Sequence, residues 1–319
     1  MMRQTTLAEG AFAKYKKPTR KEKFLAQLNE VIAWKELSKV IEPDYPKPKG
    51  SGRRPIGIER MLRIHFMQHG FNLSNPAMEE ALYDIQTLRE FSHIDLGREP
   101  ASDETTICKF RHILELNDLG ERLFHLVNEY LLENGLFASK GTIDDATLIE
   151  APTSTKNKKK QRDPDTHQTG KGNQWYFGMK THIGVDSQSK LIHSVAVTPA
   201  NTHDSQVLED LLHGEETRAW GDCAYSGRKR VLSECAPMAK DHTQKKGSRN
   251  RKLTDDERSK NRNKSEIRAK VEHVFHVMKR QFGFIKFRYR GLDKNANWVF
   301  MQCALINLVM SKNHLARSS

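Results

Sequence analysis

Residues 176–186, YFGMKTHIGVD, alternate with a period of two: Phe177, Met179, Thr181, Ile183 and Val185 against Tyr176, Gly178, Lys180, His182 and Gly184. That period puts the two sets on opposite faces of a β-strand. Just downstream, LIHSVAV (191–197) reads as a second strand, joined to the first by SQSK (187–190) as a hairpin turn. Upstream, TIDDATL (142–148) reads as a third strand. Between them KNKKKQRDPDTHQTGKGNQ (156–174) is polar and basic without a period, and reads as a loop. Farther along, Asp204 is expected to cap a helix through Leu212, and TRAWG (217–221) to form a fourth strand leading into Asp222. A short helix over 226–232 and a weak fifth strand over 237–240 complete the pattern.

Residues 241–264 are strongly basic and almost without apolar side chains, a basic insertion. SEIRAKVEHVFHVMKRQ (265–281) then has helical spacing: Ile267, Val271, Val274, Met278 and Phe282 make one stripe. Arg268, Glu272 and Lys279 fall on another face, within about 40° of one another at roughly 100° per residue. Residues 285–290 mix cations with aromatics, and 298–310 are a last apolar helix. Before residue 138 no strand-like alternation appears. Helices are predicted over 21–37, 58–68, 103–114 and 119–134, the last stopping at Gly135. Another follows Leu73, with Asn75 as its cap and Pro76 in the first turn. The segment 103–114 is also a candidate second helix of a helix-turn-helix. Residues 1–20 read as a basic tail, and 43–55 as a Pro- and Gly-rich connection. Three antiparallel strands followed by alternating helices and strands is the order of a ribonuclease H-like α/β mixed sheet. It stands behind an all-helical domain, with boundaries 1–138 and 139–319.

Lysine and arginine number 53 against 40 aspartates and glutamates in 319 residues, for a formal net charge of +13. Such an excess points to a polyanion, nucleic acid first. No apolar run approaches the roughly 18–20 residues that span a bilayer, and the first residues lack a signal peptide's apolar segment. A cytoplasmic, nucleoid-associated protein without membrane partners is the expectation. Cys108, Cys223, Cys235 and Cys303 are scattered, with no CxxC, and read as reduced thiols. His65 and His69 have helical spacing but lack the glutamate of HExxH, which argues against a metal role.

Three acids sit where a ribonuclease H-like fold places its site: Asp145 on the first strand, Asp222 after the fourth, and Glu272 on the late helix. Phosphodiester chemistry gives a reason for three. Phosphate repels nucleophiles, and a 3′-oxygen leaves poorly. Two Mg²⁺ about 4 Å apart activate the attacking group and stabilise the departing oxygen. Magnesium takes a few carboxylates plus water and phosphate oxygens.

The segments GRRPIGIERMLRIHFMQHGFNLSNPAMEEALYD, DETTICKFRHILE, TIDDATLIEAPTSTKNKK, KGNQWYFGMKTHIGVD, TPANTHD, GEETRAWGDCAYSG and RAKVEHVFHVMKRQFGFIKFRYRGLDKN closely resemble bacterial insertion-sequence transposases of the insertion sequence 5 family. The resemblance runs from about Phe24 to Met310. It implies a DDE triad on a ribonuclease H-like domain: the DAT motif gives Asp145, the D-x-G-Y motif Asp222, and R-x3-E-x6-K gives Arg268, Glu272 and Lys279. It also implies Mg²⁺, with Mn²⁺ substituting, binding of terminal inverted repeats and target DNA, cleavage, and joining of 3′-hydroxyl ends by a homodimer or higher oligomer. Rival readings are a related ribonuclease H-like nuclease and a catalytically inactive transposase-derived DNA-binding protein. Three positions depart from the pattern: Ala224 replaces a glycine, Ser265 a tyrosine, and Asp144 an apolar residue. Asp144 and Asp145 must point to opposite faces of their strand. Candidate DNA contacts are Arg268, Lys279, Lys156, Lys158, Lys180, Lys286, Arg288 and Arg290. Trp175 and Trp220 flank strands and read as core residues rather than DNA wedges.

Overall fold

The computed structural model describes residues 17–48, 54–137, 141–225, 227–248 and 251–318. The expected basic tail lies almost wholly outside them. Seven helices open the described chain: α1 (Arg20–Val31), α2 (Trp34–Ile41), α3 (Ile58–Phe71), α4 (Asn75–Asp84), α5 (Gln86–Phe91), α6 (Glu104–Leu116) and α7 (Leu119–Glu133). The single helix expected over 21–37 is two, because Ile32 leaves helical geometry with ψ 123°. Ser74, not Asn75, caps α4, its Oγ accepting from the Ala77 N–H at 3.3 Å. Residues 92–103 separate α5 from α6, far more than the three or four of a helix-turn-helix, so α6 is not the second helix of that motif.

The sheet follows: β1 (Gly141–Glu150), β2 (His167–Lys171), β3 (Gln174–Asp186), β4 (Ile192–Pro199), β5 (Arg218–Trp220) and β6 (Lys240–Asp241). β3 pairs antiparallel with β1 and β4, β1 pairs parallel with β5, and β5 parallel with β6. Three antiparallel strands extended by parallel ones is the ribonuclease H-like arrangement read from the sequence. β2 falls inside the segment read as a loop; HQTGK carries no apolar side chain, so hydrophobic periodicity cannot mark it. The helix expected from Asp204 is a single 3-10 turn, Asp204–Gln206, followed by the one-turn α8 (Leu208–Leu211). Asp204 does not cap it: the His203 ring nitrogen accepts from the Ser205 N–H at 3.3 Å. Next comes α9 (Lys229–Cys235).

The long helix α10 covers Asp255–His276 and widens into a π-helical turn over Val277–Gln281. It begins well inside the segment read as an unpatterned basic insertion. A capping box starts it: the Thr254 hydroxyl accepts from the Glu257 N–H, and the Glu257 carboxylate accepts from the Thr254 N–H. The residues before it are strapped down its side. Asn261 exchanges hydrogen bonds with the Lys245 backbone at 3.0 and 2.9 Å, and Glu257 holds Lys245 and Arg251.

The last helix, α11 (Leu292–Ser318), packs against α1, α3, α6, α7 and β4. Its Trp298, Met301, Leu305 and Leu308 join Leu28, Leu62, Phe124, Ile149 and Ile183 in one continuous core spanning the helical half and the sheet. Polar residues of α11 stitch the seam. Asn307 Nδ2 donates to the Ile192 carbonyl at 2.7 Å and to Asn128 Oδ1 at 2.8 Å. Asn297 Oδ1 accepts from the Gly120 N–H at 2.8 Å, an approach so close that any Cβ at Gly120 would lie 2.4 Å from that oxygen.

Candidate active site

β1 alternates faces, and the alternation divides its two aspartates. Asp145 pairs with Ile183 of β3, on the face that packs under α10 and α11; Asp144 pairs with Gly184 on the opposite face. β1 and β5 run parallel, with Ile143 opposite Trp220. Two residues beyond that pair stand Asp145, still in β1, and Asp222, just past the end of β5. Asp222 closes a turn: its Oδ1 accepts from the Ala224 N–H at 2.7 Å and its carbonyl from the Tyr225 N–H at 3.2 Å. Ala224 is not among the residues with positive φ, so the turn does not need a glycine there. Helix α10 packs on both β1 and β5 and brings Arg268 to Asp145. The guanidinium donates to Asp145 Oδ2 from Nη2 at 3.0 Å and from Nε at 3.3 Å. Glu272, one helical turn on, is exposed.

The charges couple. Burial raises the Asp145 carboxyl above its ordinary range, and Arg268 and the Ala146 N–H pull the other way. Burial acts to lower the Arg268 guanidinium, but Asp145, Asp222 and Glu272 together outweigh it and raise it. All three acids thus lie within electrostatic reach of one guanidinium. Among the described residues no three acids, histidines or cysteines are gathered tightly enough to grip a metal unaided. The donor set nonetheless suits a hard divalent cation: carboxylate oxygens only, from β1, the turn after β5 and a facing helix, without thiol or imidazole.

On the other face, Asp144 is buried at 1% exposure, and its Oδ1 has no hydrogen-bond partner. Burial, with Glu216 and Asp145 adding to it, holds its carboxyl well above the ordinary range. Asp144 and the Tyr225 ring line a small cleft with Trp220, Arg228 and Asp241. The Tyr225 hydroxyl also lacks a partner.

The basic candidates separate into two groups. Lys180 is internal: its ammonium donates to Asp204 Oδ1 at 2.8 Å and the Thr202 carbonyl at 2.7 Å. Lys279 lies in the π turn and donates to the Leu148 carbonyl of β1 at 2.8 Å. Lys156, Lys158, Lys286, Arg288 and Arg290 are exposed. Lys286 forms a parallel bridge with Glu150 at the end of β1. Arg288 donates to Asn72, and Arg290 to the Arg162 carbonyl at 3.1 Å, which places this cationic edge beside the loop carrying Lys156 and Lys158. Trp220 is buried as expected, whereas Trp175 is 76% exposed and not a core residue. Its strand partner β2 was illegible, so nothing in the sequence marked that position as standing in solvent. Among the described residues no helix is long and apolar enough to cross a membrane.

Two family models match the chain. Residues 137–308 match the Transposase DDE domain, and residues 13–113 match the Transposase domain (DUF772). The first match covers more than half of the sequence and contains all three acids. With one carboxylate inside β1, one just past the end of its parallel neighbour β5 and the third on the facing helix, the chain belongs to the DDE transposases of insertion elements, polynucleotidyl transferases that act on DNA with divalent metal ions.

Proposed function

We propose that this transposase binds the terminal inverted repeats of its own element, cuts there by hydrolysis, and joins the freed 3′-hydroxyl ends to target DNA. Asp145, Asp222 and Glu272 are the metal ligands in this reading, for two Mg²⁺ with Mn²⁺ as a substitute. The observation that supports it is Arg268, on the helix that bears Glu272, binding Asp145 while Asp222, just past the end of β5, acts electrostatically on both. When bound, the metals lower the pKa of the attacking water or hydroxyl and stabilise the departing oxygen. Asp145 orients from within β1 and Asp222 from the turn after β5, and Glu272 approaches from an exposed helix face where DNA has access. Arg268 balances the charge of the carboxylates in the protein alone, and its guanidinium could also serve a backbone phosphate. Lys156, Lys158, Lys286, Arg288 and Arg290 hold the duplex by its phosphates. Lys180 and Lys279 brace the sheet. Two copies acting on two element ends make a homodimer the simplest assembly.

The test is Glu272→Gln, which keeps the side chain's size and removes one charge. Cleavage and strand joining of an inverted-repeat duplex should both be lost, while DNA binding and thermal stability stay native. Native cleavage by this variant would remove Glu272 from the triad.

A further inference from the structure

β3 outruns β1. Its pairing with β1 ends at Gly178, but β3 begins at Gln174, and from there it pairs antiparallel with β2 as a two-stranded ribbon. The pairs are Lys171 with Gln174, Gly170 with Trp175, Thr169 with Tyr176, Gln168 with Phe177 and His167 with Gly178. Trp175 therefore sits across from a glycine, and a Cβ at position 170 would lie 3.9 Å from its ring. No side chain opposite covers the indole. It is 76% exposed, whereas Trp34, Trp220 and Trp298 are at most 8% exposed. A ribbon free of aliphatic side chains that still displays a tryptophan is built for a surface offering both hydrogen bonds and flat rings.

Its footing is tied to the start of α11 and its surroundings are cationic. The Arg162 guanidinium lies 5.3 Å over the Phe177 ring, and the Arg162 carbonyl accepts from Arg290. Asp163 and Asp165 accept from the Gly291 and Leu292 N–H groups, at 2.8 and 3.0 Å, where α11 begins. Exposed Lys156, Lys158, Lys159 and Lys160 precede this anchor in the same connection.

We propose that the β2–β3 ribbon enters a groove of duplex DNA and that Trp175 stacks on its bases. The claim rests on the chain being a DNA-binding transposase and adds a contact outside the carboxylate site. A two-stranded ribbon fits the major groove. Gln168 and Gln174 offer the donors and acceptors that base edges read, and the neighbouring lysines hold the flanking phosphates. An aromatic wedge exploits base steps that bend or open. A second copy of the chain is the weaker candidate, because the cations around the ribbon would face their own kind.

Trp175 is the only well-exposed tryptophan, so acrylamide quenching of the whole protein reads it directly. The probe is a duplex taken from the DNA flanking the gene, without added metal, so that no cleavage occurs. The duplex should protect the accessible emission, and Trp175→Phe should remove that accessible component while keeping most of the affinity. Trp175→Ala should weaken binding roughly tenfold, in the range expected of base–aromatic stacking, with an unchanged slope of affinity against salt. Unchanged quenching on adding DNA, with native affinity for Trp175→Ala, would overturn the proposal. So would protection that grows with protein concentration alone. Glu272→Gln should show native Trp175 protection, which separates this contact from the catalytic reading.

Discussion

Asp144 and Asp145 share a strand and little else. Period-two geometry alone separates their faces, and the sequence carries that directly. What it does not carry is whether the second face is covered. The structure covers it, leaving a buried carboxyl with an orphaned oxygen. Asp144→Asn should therefore stabilise the fold at neutral pH, since an amide of the same shape carries no charge to desolvate. The sign with pH follows from the raised carboxyl. Between the ordinary value of 3.8 and the folded value, the native state holds a proton that the unfolded chain has released, so native stability falls as pH rises through that interval. The advantage of Asp144→Asn should grow from pH 3.8 upward and vanish below it, read as the difference in denaturant midpoints. A constant difference across pH would show that Asp144 is not buried as a neutral acid. Trp175 is the opposite case. Its aromatic character was plain, but its exposure depends on an aliphatic-free partner strand and a cross-strand glycine, neither of which leaves a hydrophobic signal.

At the scale of elements, the apolar stripe over 267–282 located the late helix because those side chains meet the sheet. Its first turns carry no stripe; a capping box and a strapped basic segment hold them, so hydrophobic period could not find them. The π turn is a second gap. The sequence puts Lys279 on the face of Arg268 and Glu272, but it carries no sign of the widened turn in which the Lys279 ammonium meets the Leu148 carbonyl of β1. Lys279→Met should accordingly behave as a structural change, costing about 1 kcal/mol in denaturant unfolding, with a native salt slope for DNA binding. A slope flattened by about one phosphate contact would instead place Lys279 on DNA. Thr254→Ala, which removes half the capping box, should cost about 1 kcal/mol as well, and hydrogen exchange should quicken over 255–264 before it quickens near Glu272.

At the scale of the molecule, composition pointed to a polyanion and element order to the sheet, and both readings needed only local information. The seam between the halves did not yield to such reading, because residues 298–310 are apolar enough to belong to either. They belong to both. Residues 17–137 expressed alone should lack a stable tertiary fold, giving helical circular dichroism without a cooperative melt, while adding a peptide of residues 292–318 should restore cooperativity. A sharp melt for 17–137 alone would show that the helical half has a sufficient core. The seam also bears on synthesis. The ribosome makes α11 after every other described helix and strand, and until it emerges the first helices have only one another to pack on and lack the α11 side of their core. On that expectation a message cut short before Leu292 should yield no competent helical half, and interrupted or frameshifted copies of the gene should release chains for proteolysis rather than rivals for the element's ends.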